Sequence, residues 1–138
     1  MNLHYLNMLA NFYAKFSPDS ETKVGAIVSE DLGAFNSFVD LYSRNLPTTR
    51  PNKYEYILHA EVKLVCRAAE LGISLKDQVV FCTLSPCKNC MRVLYSAGVR
   101  VIVYRDRYRD HSIDMADLKI TETKYGDFTR IDMEPVLT

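Results

Sequence analysis

Two short motifs carry side chains able to hold a metal ion and move a proton: His59-Ala60-Glu61 and Pro86-Cys87-Lys88-Asn89-Cys90. Twenty-four residues separate Glu61 from Pro86. One imidazole and two thiolates are soft-to-borderline ligands suited to zinc, and three protein ligands leave the fourth tetrahedral position to water. An open position marks a catalytic zinc site, and the metal brings the pKa of its water to about 7 in well-studied enzymes. Glu61 stands two residues beyond the His59 ligand, where it is expected to take the water's proton and deliver it to a leaving group. The competing readings are a structural zinc site or a redox pair at Cys87 and Cys90. The presence of both Glu61 and Pro86 weighs against them.

These residues need elements that bring them together. Leu6, Leu9, Phe12, Tyr13 and Phe16 recur at helical spacing and predict a helix over about residues 2–16, broken by Ser17-Pro18-Asp19-Ser20. Val24–Ser29 and Ala34–Val39 read as strands of a hairpin turning at Glu30-Asp31-Leu32-Gly33. A polar loop with two prolines spans residues 43–54, and its length suggests function. A largely buried helix is expected over about residues 60–71, capped by Gly72. Val79–Leu84 is an apolar run of strand length, followed by a helix over residues 88–97 and a strand over Val99–Tyr104. Residues 105–138 are charged and give no clear element. This order predicts an α/β protein with a helix-covered mixed sheet. Its two central strand–helix–strand units should pair in parallel. Each chemical motif then opens a helix just past an extended segment, and the two helix N-termini favour thiolate over thiol.

The 138 residues fit one domain, expected over 1–138. With 48% hydrophobic and 25% charged residues the composition is that of a soluble globular protein that needs no disulfide staple. Seventeen basic residues balance seventeen acidic ones, which excludes a protein held on nucleic acid or an anionic membrane by bulk charge. No run of 18 apolar residues exists, and Met1–Lys15 lacks a basic leader region and a small-residue cleavage site. The chain is therefore expected to be cytoplasmic, with its four cysteines reduced. Cys66 and Cys82 are read as core residues, and His4 and His111 as exposed and idle. No other cysteine pair has ligand spacing, so a second zinc is not expected.

H-x-E followed by P-C-x-x-C is the signature of the zinc-dependent nucleobase deaminases. On it, the sequence resembles the cytidine and deoxycytidylate deaminase superfamily from about Lys23 to Tyr104. Lys23-Val24-Gly25-Ala26, Thr83-Leu84-Ser85-Pro86-Cys87 and Ser96-Ala97-Gly98-Val99 through Val103-Tyr104 carry the rest of the likeness. Arg50-Pro51-Asn52-Lys53-Tyr54 and Ser85-Pro86-Cys87 look closest to the dCMP deaminases. Where that family has G-x-N-G in its first hairpin, Ala34-Phe35-Asn36-Ser37 keeps the asparagine and replaces both glycines. Lys63 stands where the family often has asparagine.

The resemblance implies a three-layer α/β/α cytidine-deaminase-like fold with a central mixed five-stranded sheet. It implies a Zn2+ cofactor held by His59, Cys87 and Cys90, and a homo-oligomer, often a hexamer. It implies hydrolytic deamination of dCMP to dUMP and ammonia, feeding thymidylate synthesis, by attack of zinc-held hydroxide at C4. Glu61 would protonate N3 and help ammonia leave. The Ala60 N–H would hold O2 of the base, the Ser85 carbonyl the amino group, and Asn36 the sugar hydroxyl. The phosphate needs a cation, with Arg50, Lys53, Arg105 and Arg107 as candidates in that order. Tyr104 and Tyr108 are candidates to stack on the base, with core or interface packing as the alternative. The Arg105–Asp110 run alternates in sign and reads as solvated surface or interface. Competing functions are deamination of another base (cytidine, deoxycytidine, guanine, a pterin precursor, tRNA adenosine) and a non-catalytic zinc module. Zero net charge weighs against tRNA.

Overall fold

A computed structural model describes residues 2–40, 45–108 and 114–137. Arg109 and Asp110, the end of the alternating charge run, and His111, expected to be exposed and idle, lie outside the described residues, as do Ser43 and Arg44 of the long loop. The elements are α1 (Leu3–Ala14), β1 (Gly25–Ser29), β2 (Leu32–Phe35), α2 (Ala60–Leu71), β3 (Val79–Leu84), α3 (Lys88–Ser96), β4 (Val101–Asp106), β5 (Leu118–Tyr125) and β6 (Phe128–Pro135). A single 3-10 turn, Asn52–Glu55, interrupts the loop before α2.

The sheet is mixed, as expected, but has six strands rather than five, in the order β2-β1-β3-β4-β6-β5. β3 and β4 pair in parallel, with Phe81 opposite Val103 and Cys82 opposite Tyr104. The other strand–helix–strand unit differs from expectation. β1 pairs antiparallel with both β2 and β3, so it lies between them and they do not touch. The extra strands come from the charged C-terminal stretch. β5 and β6 form an antiparallel hairpin around Gly126, whose φ of 60° suits the turn, and β6 adds to β4.

Alternation along the strands builds a core on each face. Ile27, Phe81, Val103 and Phe128 pack with Leu6 and Ala10 of α1. Ala26, Val80, Cys82, Ile102, Tyr104 and Ile131 pack on the other face with Leu64 and Ala68 of α2 and Met91 and Leu94 of α3. The result is α1 on one side and α2 with α3 on the other, the three-layer arrangement expected. Asn2 caps α1, its Oδ1 accepting from the N–H groups of His4 and Tyr5. Met8 and Phe12 of α1, and Phe16 just past its end, are still exposed. α2 is less buried than its apolar sequence suggested. Ala60, Glu61, Leu64 and Ala68 are buried, whereas Cys66 is exposed rather than part of the core. Cys82 is fully buried, as expected. Among the described residues, no helix is long and apolar enough to cross a membrane.

α1 lies against β1 because Gly25 has no side chain. A Cβ there would stand 2.0 Å from the Ala10 carbonyl oxygen and 3.1 Å from the Ala14 nitrogen. Backbone cannot move aside as a flexible side chain can, so Gly25→Ala should destabilise the fold by about 1–3 kcal/mol. A thermal melt reads this. An unchanged Tm would mean that α1 is not seated on β1 in this way.

Candidate active site

α2 and α3 begin at the same corner of the molecule. His59 caps α2 with extended backbone (φ −65°, ψ 151°), and Cys87 caps α3 in the same conformation (φ −72°, ψ 167°). Each helix starts as the chain leaves an extended segment. Leu58 bridges to Ser37 just before α2, and β3 ends at Leu84 just before Ser85-Pro86. His59 Nδ1 lies 3.2 Å from Cys90 Sγ and 3.6 Å from Cys87 Sγ. All three ligand atoms lie within 4.8 Å of one another. Tetrahedral zinc with bonds of about 2.0–2.1 Å to nitrogen and about 2.3 Å to sulfur needs nitrogen–sulfur edges of about 3.6 Å. Donor set and spacing therefore fit a zinc ion, with His59 facing outward and Cys90 buried.

The sulfurs are prepared for a cation. A hydrogen bond from the Cys90 thiol is the main influence holding Cys87 down to about 4; burial opposes it, and His59 and the Cys90 N–H add to it. Cys90 is pushed up by the same hydrogen bond and by burial. A coordinated zinc ion takes both sulfurs as thiolates. The first turns of two helices supply further positive potential.

Glu61 is 4% exposed, in the first turn of α2. Burial raises its carboxyl above the ordinary range, and a hydrogen bond with Cys90 and the charge of His59 only partly offset this. A carboxyl so placed holds a proton more readily than one in water, which suits an acid–base group.

Beside this corner is a cleft lined by His59, Ala60, Glu61, Ser85 and Cys87 at one end, and by Asp19, Thr22, Asn36, Lys53 and Tyr54 at the other. Val24, Ile57, Leu84 and Tyr108 complete its walls. The Ala60 N–H sits in the first turn of α2, where a helix leaves donors without intrahelical acceptors. Ser85 is fixed from both sides: its N–H donates to the Asp106 carbonyl, and its Oγ accepts from the Tyr108 N–H, each at 2.8 Å.

Other expected substrate residues are placed differently. Tyr104 does not line the cleft. It is 1% exposed, packed in the core on the α2 and α3 face of the sheet, with its hydroxyl donating to Glu122 at 3.1 Å. Tyr108, two residues past the end of β4, takes the cleft position instead. Lys53 is not an available cation. Its ammonium lies 2.8 and 3.0 Å from the two Asp19 oxygens and 3.3 Å from Glu21. Burial pushes the Asp19 carboxyl up, but Lys53 and the N–H groups of Thr22 and Glu21 outweigh it and leave it below the ordinary range. Asn36 is also committed: its amide nitrogen donates to the Thr22 carbonyl and Asp19, and its Oδ1 accepts from the Val24 N–H. An amide oxygen has two lone pairs, so the Val24 N–H leaves Oδ1 with capacity for one more donor. Arg107 pairs with Glu122, and Arg105 lies over the Phe128 ring, so neither lines the cleft.

Arg50 does not line the cleft itself but bonds three residues that do, and its guanidinium lies 4.0 Å from Glu21. Its Nε donates to the Tyr54 hydroxyl at 2.8 Å, and its Nη2 to Thr22 Oγ1 at 3.1 Å and the Tyr108 hydroxyl at 3.3 Å. Asp19, Thr22 and Tyr54 were not singled out from sequence. Asp19 sits in a segment whose Ser-Pro-Asp-Ser composition signalled only a helix break, and nothing local marks its distant partner Lys53.

Residues 2–105 match the cytidine and deoxycytidylate deaminase zinc-binding region. Over 51 residues, 37% of this chain, the sequence is 33% identical to the deoxycytidylate deaminases of Enterobacteria phages T2 and T4. That stretch spans only 27% and 26% of those two proteins. The fold superposes on the dCMP deaminase of cyanophage S-TIM5, solved in complex with dCMP and dUMP, with a TM-score of 0.65 and 27% identity. The superposition covers 78% of this chain and 83% of that one. With three quarters of its length matched and the metal-ligand corner in place, this chain belongs to the cytidine and deoxycytidylate deaminase zinc-binding family.

Proposed function

We propose that the protein converts dCMP and water to dUMP and ammonia, a supply of dUMP for thymidylate synthesis. The observation that carries this reading is the buried Glu61 carboxyl in the same cleft as the His59, Cys87 and Cys90 corner. The likeness to a structure holding dCMP and dUMP supports the choice of substrate.

Zinc held by His59 Nδ1 and the two sulfurs supplies, when bound, a Lewis acid that lowers the pKa of a water at its fourth position. Glu61 takes a proton from the attacking water at its carboxylate and gives it to N3 of the base, then carries the remaining proton of the new C4 hydroxyl to the amino nitrogen, so that the C4–N bond breaks with release of ammonia and the C4 carbonyl forms. The Ala60 N–H donates to O2, and the Ser85 carbonyl accepts from the amino group. Together they hold C4 toward the metal corner. Tyr108 offers a ring against the base, and Leu84 and Ile57 exclude water from it. The free lone pair of Asn36 Oδ1 accepts from the sugar hydroxyl. Arg50, with the Tyr54 and Tyr108 hydroxyls on either side, is the cation for the phosphate.

The phosphate assignment is tested by comparing dCMP with deoxycytidine. A hydrogen-bonded charge pair of about 1.5–3 kcal/mol corresponds to a preference for dCMP of about 10–150-fold in kcat/KM. Arg50→Met should remove most of that preference. Equal kcat/KM for the two substrates in the unaltered protein would contradict dCMP as the substrate.

A further inference from the structure

Lys53 and Asp19 are both cleft-lining and both nearly inaccessible, with side chains 5% and 4% exposed. A buried ammonium in a nucleotide cleft invites a role as the phosphate's counterion, but the local charges argue otherwise. Three carboxylate oxygens lie within 3.3 Å of its Nζ, which has three N–H bonds to give, two from Asp19 and one from Glu21. Asp19 and Glu21 are balanced by Lys53 and by the Arg50 guanidinium, 4.0 Å from Glu21, so the ammonium's charge is already matched and none of its three N–H bonds is left over for a phosphate.

What the pair touches is the backbone that carries Arg50. Asp19 accepts from the N–H groups of Glu21 and Thr22 at 2.8 and 2.9 Å, and from Asn36 at 3.3 Å. It thereby fixes the segment 19–22. That segment in turn grips the loop before α2. Ser20 Oγ donates to the Thr48 carbonyl, Glu21 Oε1 accepts from the Arg50 N–H at 2.7 Å, and Thr22 Oγ1 accepts from the Arg50 guanidinium. Lys53 closes the ring from within the loop, its own N–H donating to the Thr49 carbonyl.

We propose that the buried Asp19–Lys53 pair is a positioning latch that holds the loop bearing Arg50 and Tyr54 at the cleft mouth, with Lys53 acting through Arg50 and never touching substrate. The proposal rests on dCMP being the substrate only for its kinetic readout. Without the latch, the loop spends a smaller fraction of time with Arg50 at the mouth, and apparent affinity falls by that fraction. The chemistry at Glu61, Cys87 and Cys90 sits on α2 and α3 and is not carried by this loop.

The test uses the full-length, zinc-loaded protein with Lys53→Met and, separately, the isosteric Asp19→Asn, which serves if Lys53→Met does not fold. Expected are a KM for dCMP raised about tenfold or more, a kcat within about threefold, and unchanged zinc content. In an Arg50→Met background, Lys53→Met should add less than about threefold to KM, because the latch has nothing left to position. Hydrogen exchange needs no substrate. Amides of residues 49–57 should exchange faster in either variant, while those of Met91–Leu94 in α3 stay protected. Equal losses from Lys53→Met with and without Arg50 would show that Lys53 meets the phosphate itself and overturn the latch. Unchanged exchange over residues 49–57 would also overturn it. Failure of the unaltered protein to turn over dCMP would reject the substrate, and the exchange result alone would then decide the latch.

Discussion

Glu61→Gln should keep its zinc and its fold and lose turnover by about 10⁴-fold, the upper range for a positioned acid–base group. The amide has the shape of the carboxyl, so the buried site at the head of α2 stays filled. It cannot accept a proton from water and return it to N3 or to the departing amine. Burial opposes the ionised carboxylate at this position, so the neutral amide should leave Tm equal or higher. The three measurements are metal content, thermal melt and kcat. Activity within about tenfold of the unaltered protein would remove Glu61 from the mechanism. Lost zinc would make it a support of the metal corner.

Cys87→Ala should lose zinc, activity and stability together. The thiolate serves two purposes. It is one of three ligand atoms, and as the cap of α3 its sulfur accepts from the Cys90 N–H at 3.4 Å. Loss of an N-cap alone costs about 0.5–2 kcal/mol. Metal binding that is coupled to folding adds its own contribution, so the combined effect should exceed the cap term. Cys66→Ser is the matched control. Cys66 is exposed on α2, outside the ligand group, and its variant should retain full zinc and turnover. A Cys87→Ala protein that still binds one zinc per chain would reject the ligand assignment.

The metal corner was legible in the sequence because both of its parts are local. His59 with Glu61, and Cys87 with Cys90, are set by helical spacing at two helix starts, and the fold has only to bring those starts together. Substrate contacts were less legible because they depend on where elements end. Tyr104 and Tyr108 read alike in sequence. β4 continues to Asp106, so Tyr104 is held in the sheet opposite Thr129 of β6 while Tyr108 lies past the strand's end at the cleft. Lys53, one of four candidates for the phosphate, is ion-paired with Asp19 and Glu21, partners that lie more than 30 residues earlier in the chain and so are not visible locally. Asn36 was matched by its place in the hairpin, yet three of its hydrogen bonds serve the segment 19–24. The C-terminal hairpin did carry a signal, Gly126-Asp127 between alternating stretches, but charges at Lys119, Glu122, Lys124, Arg130 and Asp132 obscured the alternation. They lie on strands with a solvated face, where alternation is hydrophobic on one side only.

The most direct measurement of the central claim is product formation from dCMP by the purified, zinc-loaded protein, following ammonia release and loss of cytosine absorbance together. The account predicts one ammonia and one dUMP for each dCMP consumed, with turnover abolished when zinc is removed by a chelator and restored when it is returned. If dCMP is untouched while cytidine, guanine or a tRNA anticodon stem is deaminated, the substrate assignment is wrong. If none of them reacts in the zinc-loaded protein, the corner formed by His59, Cys87 and Cys90 is not a deaminase centre.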